Sequence, residues 1–347
     1  MSATSHNGVE VSALASTKAV GSGRDGFRAL RSTCGLFDLK SRACLRLTGS
    51  DRVRWLNGMI TNNVRDLAAG HGTYAFLLNP QGHILGDLYA YNRNDYLMVV
   101  TDGGQKERIL STFDHYVIMD DVEVEDASGS VAAVGVAGPK SRAILRSAGI
   151  NPPELQPLEI AELTWRDHSL TVVGGESDRY PSFEIWITPG DEAALHQSLE
   201  AAGARLVNRG ALELYRIALG RPCYGQDIRE RDLPQETEQH RALNFNKGCY
   251  VGQEIVERIR SRGNVHRKFT GFQINGPAAA PGTKIQAQAK DVGEVTSSAV
   301  IPAAEGGDCA VALGYVRREV GVPGREVQIA DAPAVVTELP LSNLLVP

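Results

Sequence analysis

Strand patterns in the first part of this 347-residue chain are joined by tight turns, and this limits the folds open to it. Residues 44–48 alternate between apolar and polar types, as a half-buried strand does. Residues 74–78 and 84–91 flank the turn Asn79-Pro80-Gln81-Gly82 and predict a hairpin, with a third strand at 96–100. The pattern favours an α+β fold with a hairpin-rich sheet and interleaved helices, and not a regular βαβ repeat.

Helical periodicity lies between these strand patterns. Val53, Leu56 and Ile60 are spaced three and four residues apart, as an amphipathic helix requires. Residues 191–201 and 212–219 are also predicted to be helical, and Gly220 is a stop signal for the second of them. A proline-rich connection is predicted at 151–157. Two more alternating strands follow it, at 170–173 and 183–187.

The pattern changes after residue 268. Short strand signals are separated by glycine and proline turns, which is typical of a small antiparallel barrel. These strands are predicted at 271–274, 292–296, 311–316, 327–329 and 334–337. With a boundary near Arg267, we expect a disordered leader at 1–25, a module of two interleaved subdomains at 26–267 and a barrel at 268–347.

Composition narrows the classes of function. A net charge of −5 argues against a general nucleic-acid coat, and no apolar run approaches the roughly 18–20 residues that span a bilayer. The five cysteines are scattered with no CxxC pair, and the eight histidines show no HxxxH grouping, so no metal site is expected. An odd number of dispersed cysteines also argues against a disulfide framework and favours the cytoplasm.

The run Lys247-Gly248-Cys249-Tyr250-Val251-Gly252-Gln253-Glu254 is the most informative stretch for function. The residues after it have helical periodicity up to Gly263, so Cys249 is predicted about one turn before a helix N-terminus. There the helix dipole and Lys247 would both favour the thiolate over the thiol. The alternative is that Cys249 is a small inert core residue, as most lone cysteines are.

Basic residues cluster around this stretch. Residues 247–268 contain six basic and two acidic side chains within an acidic protein. The six are Lys247, Arg258, Arg260, Arg262, Arg267 and Lys268. Such a cluster suits a polyanionic ligand or partner, or it is simply the solvated face of a helix and its following loop.

Together, these motifs resemble the YgfZ family of folate-binding proteins, relatives of the glycine-cleavage T-protein. The Lys247–Glu254 run is similar to the family's cysteine motif. Stretches on both sides are also similar to the family's helix and loop, its N-terminal landmarks and its barrel. These are 216–222, 224–228, 233–236, 35–39, 56–64, 293–297 and 312–316.

This resemblance implies a three-lobed arrangement around a central tetrahydrofolate pocket, with a C-terminal barrel. It implies assembly or repair of iron–sulfur proteins, including tRNA-modifying ones, with Cys249 as the functional thiol and Lys247 as its electrostatic neighbour. It also implies a folate with or without a polyglutamate tail, iron–sulfur client proteins as partners, and no stable nucleic-acid complex or membrane association. The folate-binding residues expected from it are Asp87, Tyr180, Glu184, Arg216, Gln253 and Arg258.

The alternative activity is folate-dependent aminomethyl transfer, and two departures from the T-protein pattern bear on it. Only Asp87 remains of the paired aspartates after the first hairpin turn, and its role as a structural cap or as a ligand stays open. The acidic residue expected just before the Phe183-Glu184 segment is replaced. Both changes argue against the transferase. A third hypothesis, direct RNA binding by residues 258–268, lacks a recognised RNA-binding module.

Overall fold

The computed structural model describes residues 22–263, 265–304 and 306–346. It confirms the α+β class, with two sheets, flanking helices and a closed C-terminal barrel. Residues 1–21 of the expected leader lie outside the described residues. The expectation that the leader extends to residue 25 differs from the structure, because a helix begins at Gly23, where the Ser22 side chain accepts a hydrogen bond from the Asp25 amide.

The first sheet contains the predicted hairpin. Its five strands are β2 (Arg42–Thr48), β3 (Gly72–Leu78), β4 (Ile84–Asn92), β5 (Leu97–Asp102) and β6 (Glu123–Asp126). Their order is β3-β4-β5-β2-β6, and every pair is antiparallel. Gly82, with φ of 77°, makes the left-handed turn between β3 and β4. Alternate residues of β4 are buried, as the sequence pattern predicts.

The second sheet takes its strands from both sides of the first in the chain. They are β1 (Gly35–Asp38), β7 (Ala132–Ala137), β8 (Ile160–Trp165), β9 (His168–Gly174), β10 (Ser182–Ile187) and β11 (Arg205–Leu206). The order is β11-β1-β7-β10-β9-β8, with β1 and β11 parallel and the other pairs antiparallel. Because β1 joins the later strands, the first sheet is an insertion between β1 and β7.

The helices pack on these sheets and between them. They are α1 (Gly23–Ser32), α2 (Arg52–Met59), α3 (Lys106–Tyr116), α4 (Ser141–Ser147), α5 (Glu192–Ala201), α6 (Arg209–Ala218), α7 (Gln253–Arg262) and α8 (Ser342–Leu345). The predicted stops are observed: Gly220, two residues after the end of α6, and Gly263, directly after α7, both have positive φ. Across the described ranges, every helix is too short or too polar to span a bilayer.

The barrel closes with six strands, all of them paired antiparallel. They are β12 (Arg267–Ile274), β13 (Lys284–Ala287), β14 (Lys290–Pro302), β15 (Asp308–Arg317), β16 (Glu326–Ile329) and β17 (Ala332–Thr337). Strand β13 was not predicted from the sequence, because in this four-residue strand only Ile285 is fully buried and no alternation is visible. The outer face of the barrel packs on α1 and α6 through a shared core that includes Phe27, Tyr215 and Phe269.

Candidate functional site

A cavity of about 400 Å³ lies where the two sheets meet α6. We call it the inner cavity. It is lined by tyrosine rings and by charged side chains from both sheets, among them Arg42, Tyr89, Tyr91, Tyr180, Glu184 and Arg216. Three of the predicted folate-binding residues, Tyr180, Glu184 and Arg216, are therefore brought together here from β10, its preceding loop and α6.

Glu184 supplies a fixed carboxylate to this cavity. It lies on β10, and Arg42 of β2 donates to its Oε1 from Nη2 at 2.5 Å. Trp186 Nε1 donates to the second oxygen, Oε2, at 3.3 Å. Because the Arg42 contact joins the two sheets and the two donors hold both oxygens, the carboxylate has a fixed orientation in the cavity wall.

Glu176 is a second acidic residue in the cavity wall, on the loop after β9. The Tyr89 hydroxyl donates to it, and it forms ion pairs with Arg221 and Arg241. Burial alone would raise its pKa, but Arg221 and Arg241 outweigh burial, and the pKa of Glu176 falls to about 2. The carboxyl is therefore an anion throughout the physiological range, and it fixes the Tyr89 ring.

A second, larger cavity of about 640 Å³ lies beside the first and shares Glu176, Tyr180, Leu219 and Arg221 with it. We call it the outer cavity. Its remaining walls come from the loop at 238–241, from β12 and from the segment after β17. Arg241 and Lys268 add positive charge to it, and Glu238 lies within 3.9 Å of the Lys268 ammonium.

Arg216 lines the inner cavity, but its guanidinium is occupied by protein partners. Nε and Nη2 donate to the two oxygens of Glu213, and Nη2 also donates to Ser297. Nη1 donates to the Arg221 carbonyl and to Asp227, both at 2.6 Å. A guanidinium has five N–H donors, and all five are used. The structure therefore gives Arg216 a bracing role between α6 and the barrel, with no donor left for a ligand.

Asp87 lies behind the wall of the inner cavity and is linked to it through Tyr74 and Tyr89. The Tyr74 hydroxyl and Gln105 Nε2 donate to its two oxygens, each at 2.7 Å. The Tyr74 ring is 5.1 Å from that of Tyr89, which lines the cavity. Burial raises the pKa of the Asp87 carboxyl above its usual value. This residue is held in a network behind the wall and does not itself line the cavity.

The predicted thiol lies elsewhere, on an exposed loop before α7. Cys249 is solvent-exposed. A functional thiol has to be exposed, whereas an inert core cysteine would be buried. Gln253, the first residue of α7, accepts from the Tyr250 amide, and Arg258 is exposed farther along this helix. Neither these residues nor Cys249 line the two cavities.

Lys247 lies in the interior of the protein, two residues before Cys249. It is buried, and its ammonium donates to three backbone carbonyl groups. Its three donors are thus used by backbone carbonyl groups, and its electrostatic effect on the Cys249 thiol stays a prediction.

The predicted basic cluster is divided between elements. Arg267 pairs with Asp232 and Glu236, while Arg260 pairs with Glu257 within α7. The exposed part of the cluster is thus smaller than the sequence count suggests.

Several charged residues of the cavities were not predicted from the sequence, among them Arg42, Glu176 and Arg241. Arg42 lies in a strand and Glu176 follows two glycines, but these positions carry no specific local signal. Arg42 and Glu184 are 142 residues apart in sequence and meet only through the contact between the sheets.

Comparison with known proteins gives a consistent picture. The family model of the GCVT N-terminal domain matches residues 16–247, more than half of the chain. An aminomethyltransferase of Rubrobacter xylanophilus is 28% identical over 326 residues, covering 90% of this chain and 84% of that protein. A putative chloroplastic transferase of Arabidopsis thaliana is 24% identical over 306 residues, covering 87% and 70%.

The fold also has a match among solved structures. The glycine cleavage system aminomethyltransferase T of Bartonella henselae superposes with a TM-score of 0.82 at 21% sequence identity. The alignment covers 93% of this chain and 90% of that one. The expected T-protein-like arrangement is thereby confirmed as a fold.

Proposed function

This chain belongs to the GCVT N-terminal domain family, within the glycine-cleavage T-protein superfamily, and we propose from this that it binds tetrahydrofolate in the inner cavity. The observation that carries the proposal is the fixed carboxylate of Glu184 beside the Tyr89 and Tyr91 rings. One edge of a pterin presents adjacent N–H donors, which a carboxylate accepts as a pair. Its flat faces suit contact with aromatic side chains.

The outer cavity supports the same proposal, because it offers a route for the rest of the folate. The two cavities share Tyr180 and Arg221, so a pterin held inside would direct its p-aminobenzoyl-glutamate tail outward. Arg241 and Lys268 would meet the carboxylates of one or more glutamates. Each such contact at an exposed position contributes roughly 0–1 kcal/mol, so the pterin end would supply most of the affinity.

The test is an anaerobic titration of the purified protein with tetrahydrofolate, followed by calorimetry or fluorescence. Glu184→Gln should weaken binding about 10- to 100-fold, since it loses a charge-assisted pair. Glu123→Gln, an exposed change on β6, should bind as the wild type does. Near-UV circular dichroism checks that Glu184→Gln, which leaves Arg42 without its partner, is still folded. Equal affinity of folded Glu184→Gln and wild type would refute the pterin site.

For Cys249 we propose the role typical of the YgfZ family, support of iron–sulfur proteins that include tRNA-modifying enzymes. The thiol is exposed and lies on a loop apart from the cavities, where a protein partner can reach it. One cysteine does not hold a cluster, and the described residues contain no group of three or more potential metal ligands. Cys249 would therefore act together with a client protein, in a reducing compartment such as the cytoplasm.

Complementation tests this second part. Cells that lack the protein and depend on a clustered enzyme should be rescued by wild type and not by Cys249→Ala. Cys223→Ser is the matched control, because Cys223 is the other exposed cysteine of the described chain. Full rescue by Cys249→Ala at equal expression would remove the thiol from the function.

Aminomethyl transfer is the second candidate, favoured by Asp87. Burial raises the pKa of its carboxyl, but Tyr74 and Tyr89 lie between it and the proposed folate, so proton transfer would require an intervening water or side chain. The relatives named aminomethyltransferase add weight. An aminomethyl donor supplied with tetrahydrofolate should then give methylene-tetrahydrofolate with wild type and not with Asp87→Asn. Absence of product from the folate-bound wild type would leave the non-catalytic function.

A further inference from the structure

The loop that carries Cys249 is anchored by a buried lysine. Lys247 is 8% exposed, and its Nζ donates to the carbonyl oxygens of Asn57, Ile60 and Asn62 at 2.5, 2.6 and 2.7 Å. An ammonium group has three N–H donors, so all are used. The Tyr250 ring lies 4.9 Å from the same nitrogen. No donor of Lys247 is left for the thiol two residues away.

These carbonyl groups belong to the end of α2 and the residues just after it. Helix α2 ends at Met59, and the last carbonyls of a helix lack intrahelical partners and carry partial negative charge. A lysine ammonium is a suitable cap for them. The Val251 amide donates to the Gly58 carbonyl at 3.1 Å, in the same turn. Cys249 is therefore bracketed by two contacts with one helix end, from positions two residues before and two after it.

We propose that Lys247 is a positioning residue for Cys249, holding the thiol-bearing loop on the C-terminal end of α2 so that the thiol is presented outward. The biological importance of this positioning rests on the proposed role of Cys249, but the contacts of Lys247 with α2 do not depend on that role. Burial, and then Arg65, lower the pKa of Lys247 to about 7. The anchor is thus sensitive to the loss of a single proton.

The first test compares Lys247→Met with Lys40→Met, an exposed control on the turn after β1. Hydrogen exchange of the Val251 amide is followed by NMR. Methionine keeps the apolar stem but donates no hydrogen bond, so exchange at Val251 should accelerate about tenfold or more, as loss of roughly 1.4 kcal/mol of local stability gives. Unchanged protection of Val251 in folded Lys247→Met would overturn the proposal.

The second readout separates positioning from activation of the thiol. In a Cys223→Ser, Cys309→Ser background, the pH profile of Cys249 alkylation by iodoacetamide is measured. If Lys247 positions the loop, Lys247→Met changes the rate at every pH but not the midpoint. A shifted midpoint with intact Val251 protection would mean that Lys247 acts electrostatically on the thiol, and would overturn the proposal.

Two controls keep the outcomes distinct. Tetrahydrofolate affinity should be unchanged in Lys247→Met, because none of residues 247–252 lines either cavity. If Lys247→Met does not fold, the wild type itself gives the answer: below pH 7, a ¹⁵N-lysine spectrum should show one ammonium with slowly exchanging protons. Absence of such a signal would overturn the proposal. Full rescue by Cys249→Ala in the complementation test would remove the biological role of the thiol and leave these measurements unaffected.

Discussion

The buried carboxylate of Asp227 joins α6, the following loop and the barrel, and its removal should separate them. Asp227 is 0% exposed. It accepts from Arg216 Nη1 at 2.6 Å, from the Cys223 amide at 3.0 Å and from Ser297 Oγ at 2.7 Å. Thr296 donates as well, from the same barrel strand, β14. Four donors from three elements thus depend on one side chain.

The magnitude follows from these contacts. Breaking a buried ion pair by removing one partner costs about 3–5 kcal/mol. Arg216 keeps Glu213 as a counterion, which reduces the cost of losing the ion pair. The other donors lose their acceptor, at a cost of about 1–3 kcal/mol for each donor that water does not reach. We expect Asp227→Ala to lower the free energy of unfolding by about 4 kcal/mol. Asp227→Asn, which keeps an acceptor oxygen, should cost less.

The assay is urea unfolding followed by tryptophan fluorescence and far-UV circular dichroism together, since a chain with several lobes need not unfold in one step. Asp291→Ala, an exposed change on the same β14 strand, is the matched control and should stay within about 0.5 kcal/mol of wild type. Combined with Arg216→Met, Asp227→Ala should show a coupling of at least about 2 kcal/mol. A loss below about 1 kcal/mol for Asp227→Ala would refute the reasoning.

Three further predictions concern other parts of the molecule. The pKa of the Glu176 carboxyl is lowered from 4.5 to about 2, so its ionised form stabilises the fold by roughly 3 kcal/mol above pH 4.5, and this contribution is lost as the pH falls toward 2. Urea unfolding at pH 5 and at pH 3 should therefore show a smaller decrease in the free energy of unfolding for Glu176→Gln than for the wild type. Gly252→Ala should lower thermal stability by about 1–3 kcal/mol, because φ is 81° and the added carbon would lie 2.6 Å from the Asn79 carbonyl oxygen. Ile118→Ser with Met119→Ser should change stability by less than about 0.5 kcal/mol, since these side chains are 81% and 93% exposed; a larger loss in urea would reveal packing of this loop.

Local sequence patterns determined most of the elements of this protein. The β3–β4 hairpin follows from alternation on both sides of Pro80 and Gly82, and the ends of α6 and α7 follow from Gly220 and Gly263. These features depend on neighbours in the chain, so residue type and spacing are enough to predict them. The exposed thiol before α7 was predicted in the same way, from a local motif.

Tertiary structure decided where the chemistry lies. The pairing of β1 with β7, about 100 residues later, could not be read from either strand, because a four-residue strand carries no partner-specific signal. The contact of Arg42 with Glu184 exists only because two sheets meet. Arg216 was expected to bind a ligand, but it donates to Asp227. Lys247 was expected beside a thiol, and it donates to the end of α2. A charged side chain that becomes buried takes the partners that the fold brings to it, and only the packed chain determines which they are.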